Sequence, residues 1–413
     1  MSKARATIDQ LFQQEFTKMV AVISRQFGLE HIETAEDIVG DTFLAAAENW
    51  AEKGMPENPA AWLYVVAKHK TLTYFRRGET WQQKVLPAVK AGMETAEPET
   101  DLDFSAQNIQ DSQLRMIFAI CNPAIASESQ IGLALRILCG FGIDEIAEAF
   151  LTNKETINKR LFRAKEKLRT ENIRMELPPE NMLDARLDNV LHIIYLLFNE
   201  GYYSRTQDVI LQKDFCLEAM RLGLLLTAFP ATAQPRTFAL LALMCFHASR
   251  FEARQPGTET IVLYEEQDET LWDRELIAQG MNFLGLSATG NVLSTYHLEA
   301  RIAFLHCEKK DTPEKWEEIL ALYNELLILH YSPAAALNRT FALYKAHGAG
   351  IALAEAEKLQ LTENHFYWLL LGELTRHTDP AKAASCYRRA YELAKTGAEK
   401  EGILRALQST GAS

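Results

Sequence analysis

Along most of the chain apolar positions recur every three or four residues, and no stretch shows the strict alternation of a half-buried strand. The pattern predicts an all-α protein. Its clearest instance is 154–169, where Ile157, Leu161, Ala164 and Leu168 follow one another at intervals of 4, 3 and 4 residues and so share one helix face. Just upstream, Gly142 to Phe150 places Ile143, Ile146 and Ala147 inward, with Asp144 as a candidate cap. Leu151-Thr152-Asn153 reads as a tight turn, with Asn153 set to cap the helix that follows. The grammar is helix, tight turn, helix, with the small Ala147 where the two helices cross. A similar sequence of elements occurs near the start: a helix through Thr34 to Leu44 with Ile38 and Phe43 inward and its acids outward, a non-helical stretch at 53–59, and a helix from Ala60 to Arg77.

The same pattern divides the chain into four pieces. Residues 1–83 hold a first small helical domain, 84–108 a linker, 109–175 a second helical domain, and 176–413 a larger α-helical region that starts at the break Pro178-Pro179. The linker carries Glu94, Glu97, Glu99, Asp101 and Asp103, with Pro98 and no basic residue among them, a composition unable to bury much apolar surface. In the last piece, Trp368, Leu371 and Gly372 precede Ala383, Tyr387 and Ala390, close to a tetratricopeptide (TPR) helix pair with its turn one residue short. Pro333-Ala334-Ala335-Ala336-Leu337-Asn338 opens an earlier helix rich in small residues. The plainer alternative for this piece is a generic helical bundle.

Composition narrows the class. A chain of 413 residues with 48% apolar and 24% charged residues is an ordinary folded protein, with no window near the ~20 apolar residues of a membrane helix. The polar start, Met1-Ser2-Lys3-Ala4-Arg5, leads us to expect no signal peptide. The six cysteines are scattered without a Cys-x-x-Cys pair, which fits free thiols and a cytoplasmic location. The net charge of −12 argues against a protein that coats nucleic acid indiscriminately. Basic residues are instead concentrated: 154–169 holds seven Lys and Arg against Glu155 and Glu166, and 68–77 holds four with no acid, beside Tyr74 and Phe75. A basic helix of this kind can be merely solvated. Placed second in a helix-turn-helix, it fits the major groove, where Lys, Arg, Asn and Thr read base edges or hold phosphates. No catalytic constellation is visible: the ten histidines are dispersed, and neither a Gly-rich loop before a helix nor Gly-x-Ser-x-Gly occurs. We therefore expect no catalytic residue, no metal and no cofactor, and read Glu265-Glu266-Gln267-Asp268 as a solvated helix-loop junction rather than a cation site.

Three runs together resemble the promoter-melting domain of extracytoplasmic-function (ECF) sigma factors: Ala35-Glu36-Asp37-Ile38-Val39-Gly40-Asp41-Thr42-Phe43, then Asn58-Pro59-Ala60-Ala61-Trp62-Leu63, then the basic end of the third helix. The segment 141–169 is similar to their second domain, which reads the −35 element, and the acidic linker lies between the two in the family's order. Leu196-Leu197-Phe198-Asn199-Glu200-Gly201-Tyr202, Glu265 to Asp268 with Trp272-Asp273-Arg274, and Ala336-Leu337-Asn338-Arg339 are similar to the subgroup with a large C-terminal helical-repeat, TPR-like extension. Leu72-Thr73-Tyr74 departs from the family, which often has Ile-Asp-Arg there.

The resemblance implies a sigma factor that binds core RNA polymerase and promoter DNA. Polymerase docking would fall to Glu36, Asp37, Asp41 and Phe43. The −10 region would be held by Asn58, Lys68, Lys70, Tyr74, Arg76 and Arg77, and the −35 region by Lys154, Thr156, Asn158, Lys159, Arg160, Arg163 and Lys167. The linker would thread the polymerase's RNA-exit path, or serve as a plain tether. The extension would contact the sigma domains within the same chain. Two other readings remain open at this point: a helix-turn-helix regulator with a ligand- or peptide-sensing helical-repeat domain, which would not need residues 1–77, and a pure interaction scaffold, which would not need a basic recognition helix.

Overall fold

In the computed structural model, the described residues are 2–77, 102–150, 152–202, 213–255, 262, 264–395 and 397–409. Among them every regular element is helical, so the all-α reading holds. None of these helices is long and apolar enough to cross a membrane. The chain forms two compact units, Met1–Ile193 and Ile194–Ser413.

The first unit opens with α1 (Ser2–Phe27), α2 (Ile32–Lys53) and α3 (Pro59–Arg77). Their apolar faces supply Phe16, Met19, Val20 and Ile23, then Ala35, Ile38, Val39, Phe43 and Trp50, then Leu63, Ala67 and Phe75, all buried. Gly54 ends α2 with φ +79°, a left-handed conformation that only glycine adopts cheaply. Next come α4 (Ala106–Ile120), α5 (Ser127–Leu133), continued by a wider helical turn at Ala134–Leu138, then α6 (Ile143–Ala149) and α7 (Lys154–Thr170). Most of the expected linker, 84–101, lies outside the described residues. Its end is packed: Leu102 is buried, the Phe104 ring stacks on Tyr64 at 4.9 Å, and Ser105 caps α4 by accepting from the Asn108 N–H. The helical part of the second piece thus begins near 105, not 109.

The compact units divide at 193 rather than at the Pro178-Pro179 break, and the reason lies in α8 (Glu180–Tyr202). Leu187, Val190, Leu191 and Ile193 are buried in it, Arg186 donates to the Phe118 carbonyl, and Asn189 Nδ2 donates to the Cys121 carbonyl at 2.6 Å. The first core thus extends past the two prolines.

The second unit runs through α9 (Lys213–Thr227), α10 (Pro235–Ala248), the short α11 (Phe251–Arg254), α12 (Arg274–Ser287), α13 (Thr295–Leu305), α14 (Pro313–Leu329), α15 (Pro333–His347), α16 (Ala349–Leu359), α17 (His365–Thr375), α18 (Pro380–Leu393) and α19 (Gly397–Ser409). Several starts follow local rules: Thr312, Ser332 and Asp379 each cap a helix whose next residue is proline, preset for a first turn. The predicted pair is α17 and α18. Ala383, Tyr387 and Ala390 are buried, and Gly372 lies so close to Tyr387 that a Cβ there would come within 2.5 Å of the ring. All six cysteines are buried free thiols, as their spacing predicted.

Glu299 on α13 gives a pH-dependent prediction. Burial pushes its carboxyl up to about 7 from 4.5, and a hydrogen bond from Tyr195 opposes this only in part. A folded-state pKa above the unfolded value means the contribution is fully present below pH 4.5 and is lost as pH rises through 7. Glu299→Gln should therefore leave stability near pH 4.5 almost unchanged and raise it at pH 8 by about 1–3 kcal/mol. Urea melts at the two pH values check this; the same change at both would refute it.

Candidate nucleic-acid interface

The helix-turn-helix is formed by α6 and α7. Asn153 caps α7 through Oδ1, which accepts from the Thr156 N–H at 2.8 Å. Ile157, Leu161, Ala164 and Leu168 are all buried, with Ile146 and Ala147 of α6 also inward. Burial of that stripe fixes the rotation of α7 and turns Lys154, Thr156, Asn158, Lys159, Arg163 and Lys167 outward. Arg160 is half-buried, near Glu128 at 3.4 Å and over the Phe150 ring. Lys154, Lys159 and Lys167 pair with Asp144, Glu155 and Glu171, but every partner is itself exposed. Exposed pairs of this kind contribute ~0–1 kcal/mol, so the lysines can exchange them for phosphates. Arg163 has no ion-pair partner among the described residues, which makes it the cation most available on this face. One local expectation is corrected: Asp144 does not cap α6. The Glu145 carboxylate accepts from the Gly142 N–H instead, and Asp144 turns to Lys154 across the turn.

On the earlier helices, Asn58 caps α3, its Oδ1 accepting from the Ala61 N–H at 3.0 Å. The acceptor side of this amide is therefore in use, and its exposed Nδ2 donors are what remain for a base edge. Tyr74 is 52% exposed, and Phe75 beneath it is buried and stacked on Phe27 at 3.9 Å. Tyr74 thus stands on a firm base as a stacking surface. Lys70 donates to the Asp41 carbonyl at 3.0 Å, tying α3 to α2, and Lys68 is half-buried. The side chains of Arg76 and Arg77 lie outside the described residues. Trp62 is half-buried and meets Trp50 edge-on at 5.4 Å.

The four docking candidates on α2 divide. Asp37 and Asp41 are exposed, beside Leu44, which is 63% exposed. Phe43 is core, edge-on to Phe12 at 5.0 Å. Glu36, expected on the solvent face, is buried: Oε1 accepts from Arg136 Nε at 2.9 Å and Oε2 from Lys165 Nζ at 2.7 Å. A second tie joins the same two sets of helices, with Arg25 on Asp111 at 2.7 Å and on the Asn108 amide oxygen at 2.7 Å. These partners lie some 80 to 130 residues apart in sequence, so no periodic signal could announce them. They join the helices of the first piece to those of the second in one unit. Among the described residues no group of His, Cys, Asp and Glu is arranged to hold a metal ion.

Comparisons with known proteins bear on two stretches of the chain. The family described as sigma-70 region 2 matches residues 12–81, and a family of unknown function, DUF6596, matches residues 186–288. An uncharacterized protein of Rhizobium meliloti, R00370, is 34% identical over 377 residues, covering 89% of this chain and 88% of the relative. The RNA polymerase sigma factor YlaC of Bacillus subtilis is 24% identical over 167 residues, covering 40% of this chain and 92% of that factor. No solved structure matches the chain. The chain belongs to one family with the Rhizobium meliloti protein, and its first three helices carry a sigma-70 region 2.

Proposed function

We propose that this protein is an ECF-type sigma factor that carries core RNA polymerase to specific promoters and acts through two DNA-facing surfaces. The observation that carries the reading is the pairing, in one compact unit, of a region 2 with a helix-turn-helix whose cationic face is turned outward. In this reading residues 1–83 bind polymerase and the −10 element, 84–108 form the linker and 109–175 bind the −35 element. Residues 176–413 are a TPR-like regulatory or interaction domain. A plain helix-turn-helix regulator has no need of the region 2 at 12–81. Sigma factors initiate transcription without catalysing a reaction of their own. The direct test is transcription from a promoter template with core polymerase and this protein alone; promoter-specific initiation is the expected result, and its absence on every cognate promoter would overturn the proposal.

Two substitutions test the surfaces. Arg163→Ala should weaken −35 binding by about 1–3 kcal/mol if its guanidinium reads a base, with relaxed specificity at one position. If it holds a phosphate, binding should weaken alike on all sequences and the salt dependence should flatten by about one charge. Unchanged affinity and salt slope would remove α7 from the interface. Asp41→Lys reverses an exposed charge on the docking face of α2. Polymerase binding in a pull-down should fall while stability changes by less than ~0.5 kcal/mol. A folded variant that binds core polymerase normally would take α2 out of the docking surface.

A further inference from the structure

The second unit gathers several cations around Tyr264, and one of them, Arg250, has no carboxylate partner among the described residues. Arg250, at the start of α11, is only 8% exposed, yet its Nε has no hydrogen-bond partner and no carboxylate among the described residues pairs with its guanidinium. What it meets is a ring: its Cζ lies 5.5 Å from the centroid of Tyr264. Lys315, also 8% exposed, approaches the same tyrosine, with Nζ 3.4 Å from Tyr264 Oη and bonded to the Glu308 carbonyl. Tyr264 in turn stacks on the buried Trp272 at 6.2 Å and meets His306 edge-on at 5.0 Å. The carboxylates nearby serve the lysines: the exposed Asp311 lies 2.8 Å from Lys345 and 3.7 Å from Lys315, and Glu265 lies 3.7 Å from Lys345. His306 adds no charge, since burial and the Arg250 cation push it down to about 3, and its Nδ1 is buried without a partner.

A buried cation that lacks a counter-charge costs stability, and proteins rarely leave a guanidinium in that condition. The cluster is also out of character for its surroundings, since residues 176–413 hold 22 Lys and Arg against 31 Asp and Glu. Two cations beside Tyr264, 5.5 and 5.8 Å from its ring centre, with a neutral imidazole at its edge, give the donors that an oxyanion needs: a planar fork from Arg250 and a point charge from Lys315. We propose that the second unit binds a small ligand through a phosphate or carboxylate group held at Arg250, with Lys315 and His306 beside it. Its residues all belong to the second unit, whereas the proposed DNA and polymerase contacts belong to the first. The site gives the C-terminal unit a chemical input of its own.

The test uses the full-length protein and tryptophan-monitored thermal unfolding in inorganic phosphate or in succinate, each against sodium chloride at equal ionic strength. The two probes separate phosphate from carboxylate recognition. The expected result is a saturable rise in melting temperature of about 2–4 °C with one of them. Arg250→Met should melt higher than wild type in chloride, because it removes a buried cation with no carboxylate partner among the described residues, and should lose the response to the anion. Should Arg250→Met not fold, Arg250→Lys decides: a response shifted to higher anion concentration supports the site. No saturable rise with either anion, or an undiminished rise in the Arg250 variants, would overturn the proposal. Arg405→Gln, which alters an exposed pair with Glu266, should respond as wild type does.

Discussion

Glu36→Ala is expected to destabilise the first unit by about 2–3 kcal/mol and to loosen α2 from α7. The Glu36 carboxylate is 8% exposed and receives both the Arg136 Nε and the Lys165 Nζ. Removing one member of a buried ion pair costs ~3–5 kcal/mol, because the remaining charge stays desolvated. Here the partners keep some contact with water, at 24% and 16% side-chain exposure, and Glu33 stands 3.6 Å from Lys165 as a partial substitute, so the lower figure applies. Urea unfolding should show the loss, and amide exchange should accelerate in α2 and α7 together. Asp37→Ala, one residue along on the exposed face, should change stability by less than ~0.5 kcal/mol. Lys165→Met in the Glu36→Ala background should recover part of the loss, since the two sites share an interaction and cannot be additive. Equal stability of Glu36→Ala and Asp37→Ala would show that the buried network does not hold these helices together.

Tyr387→Ala is expected to have the largest effect on the second unit, a loss of about 3–5 kcal/mol. The ring is 1% exposed, fills the space that the missing side chain of Gly372 leaves open, and packs with Ala383, Ala390, Ala394 and Ile403. Its hydroxyl reaches Glu373 Oε2 at 3.3 Å, and burial together with that carboxylate drives its pKa upward. Tyr387→Phe keeps the ring and loses only that bond, so it should cost about 1 kcal/mol. Gly372→Ala attacks the same contact from the other side and should cost about 1–3 kcal/mol, because neither the α17 backbone nor the buried ring can retreat freely. Limited proteolysis should locate the damage in α17 to α19. A Tyr387→Ala protein with unaltered cleavage and melting would show that the pair contributes little to the fold.

The sequence by itself determined the class of structure and the rotation of the basic helix α7. Helical periodicity is local, and a stripe such as Ile157, Leu161, Ala164 and Leu168 has only one way to face inward, so it also decides which cations point outward. Capping by Asn153 was legible for the same reason, since a cap needs neighbours only three residues away, and the helix pair that holds Gly372 and Tyr387 showed as a repeat-like motif, while their close contact came from the packing. Only the tertiary structure decided which polar groups leave solvent. Glu36, Asp37 and Asp41 look alike in sequence, yet Glu36 is buried because Arg136 and Lys165, 100 and 129 residues away, arrive beside it. Arg250 resembles any other arginine until Tyr264, Trp272 and His306 surround it. The compact units likewise divide inside α8, because Arg186 and Asn189 reach back to the carbonyls of Phe118 and Cys121, and a pair of prolines upstream cannot reveal it. Charge and hydrogen bonding are satisfied by whatever comes near in space. Periodicity therefore announces the apolar face of a helix, while the partners of a buried ion are fixed only when distant segments pack.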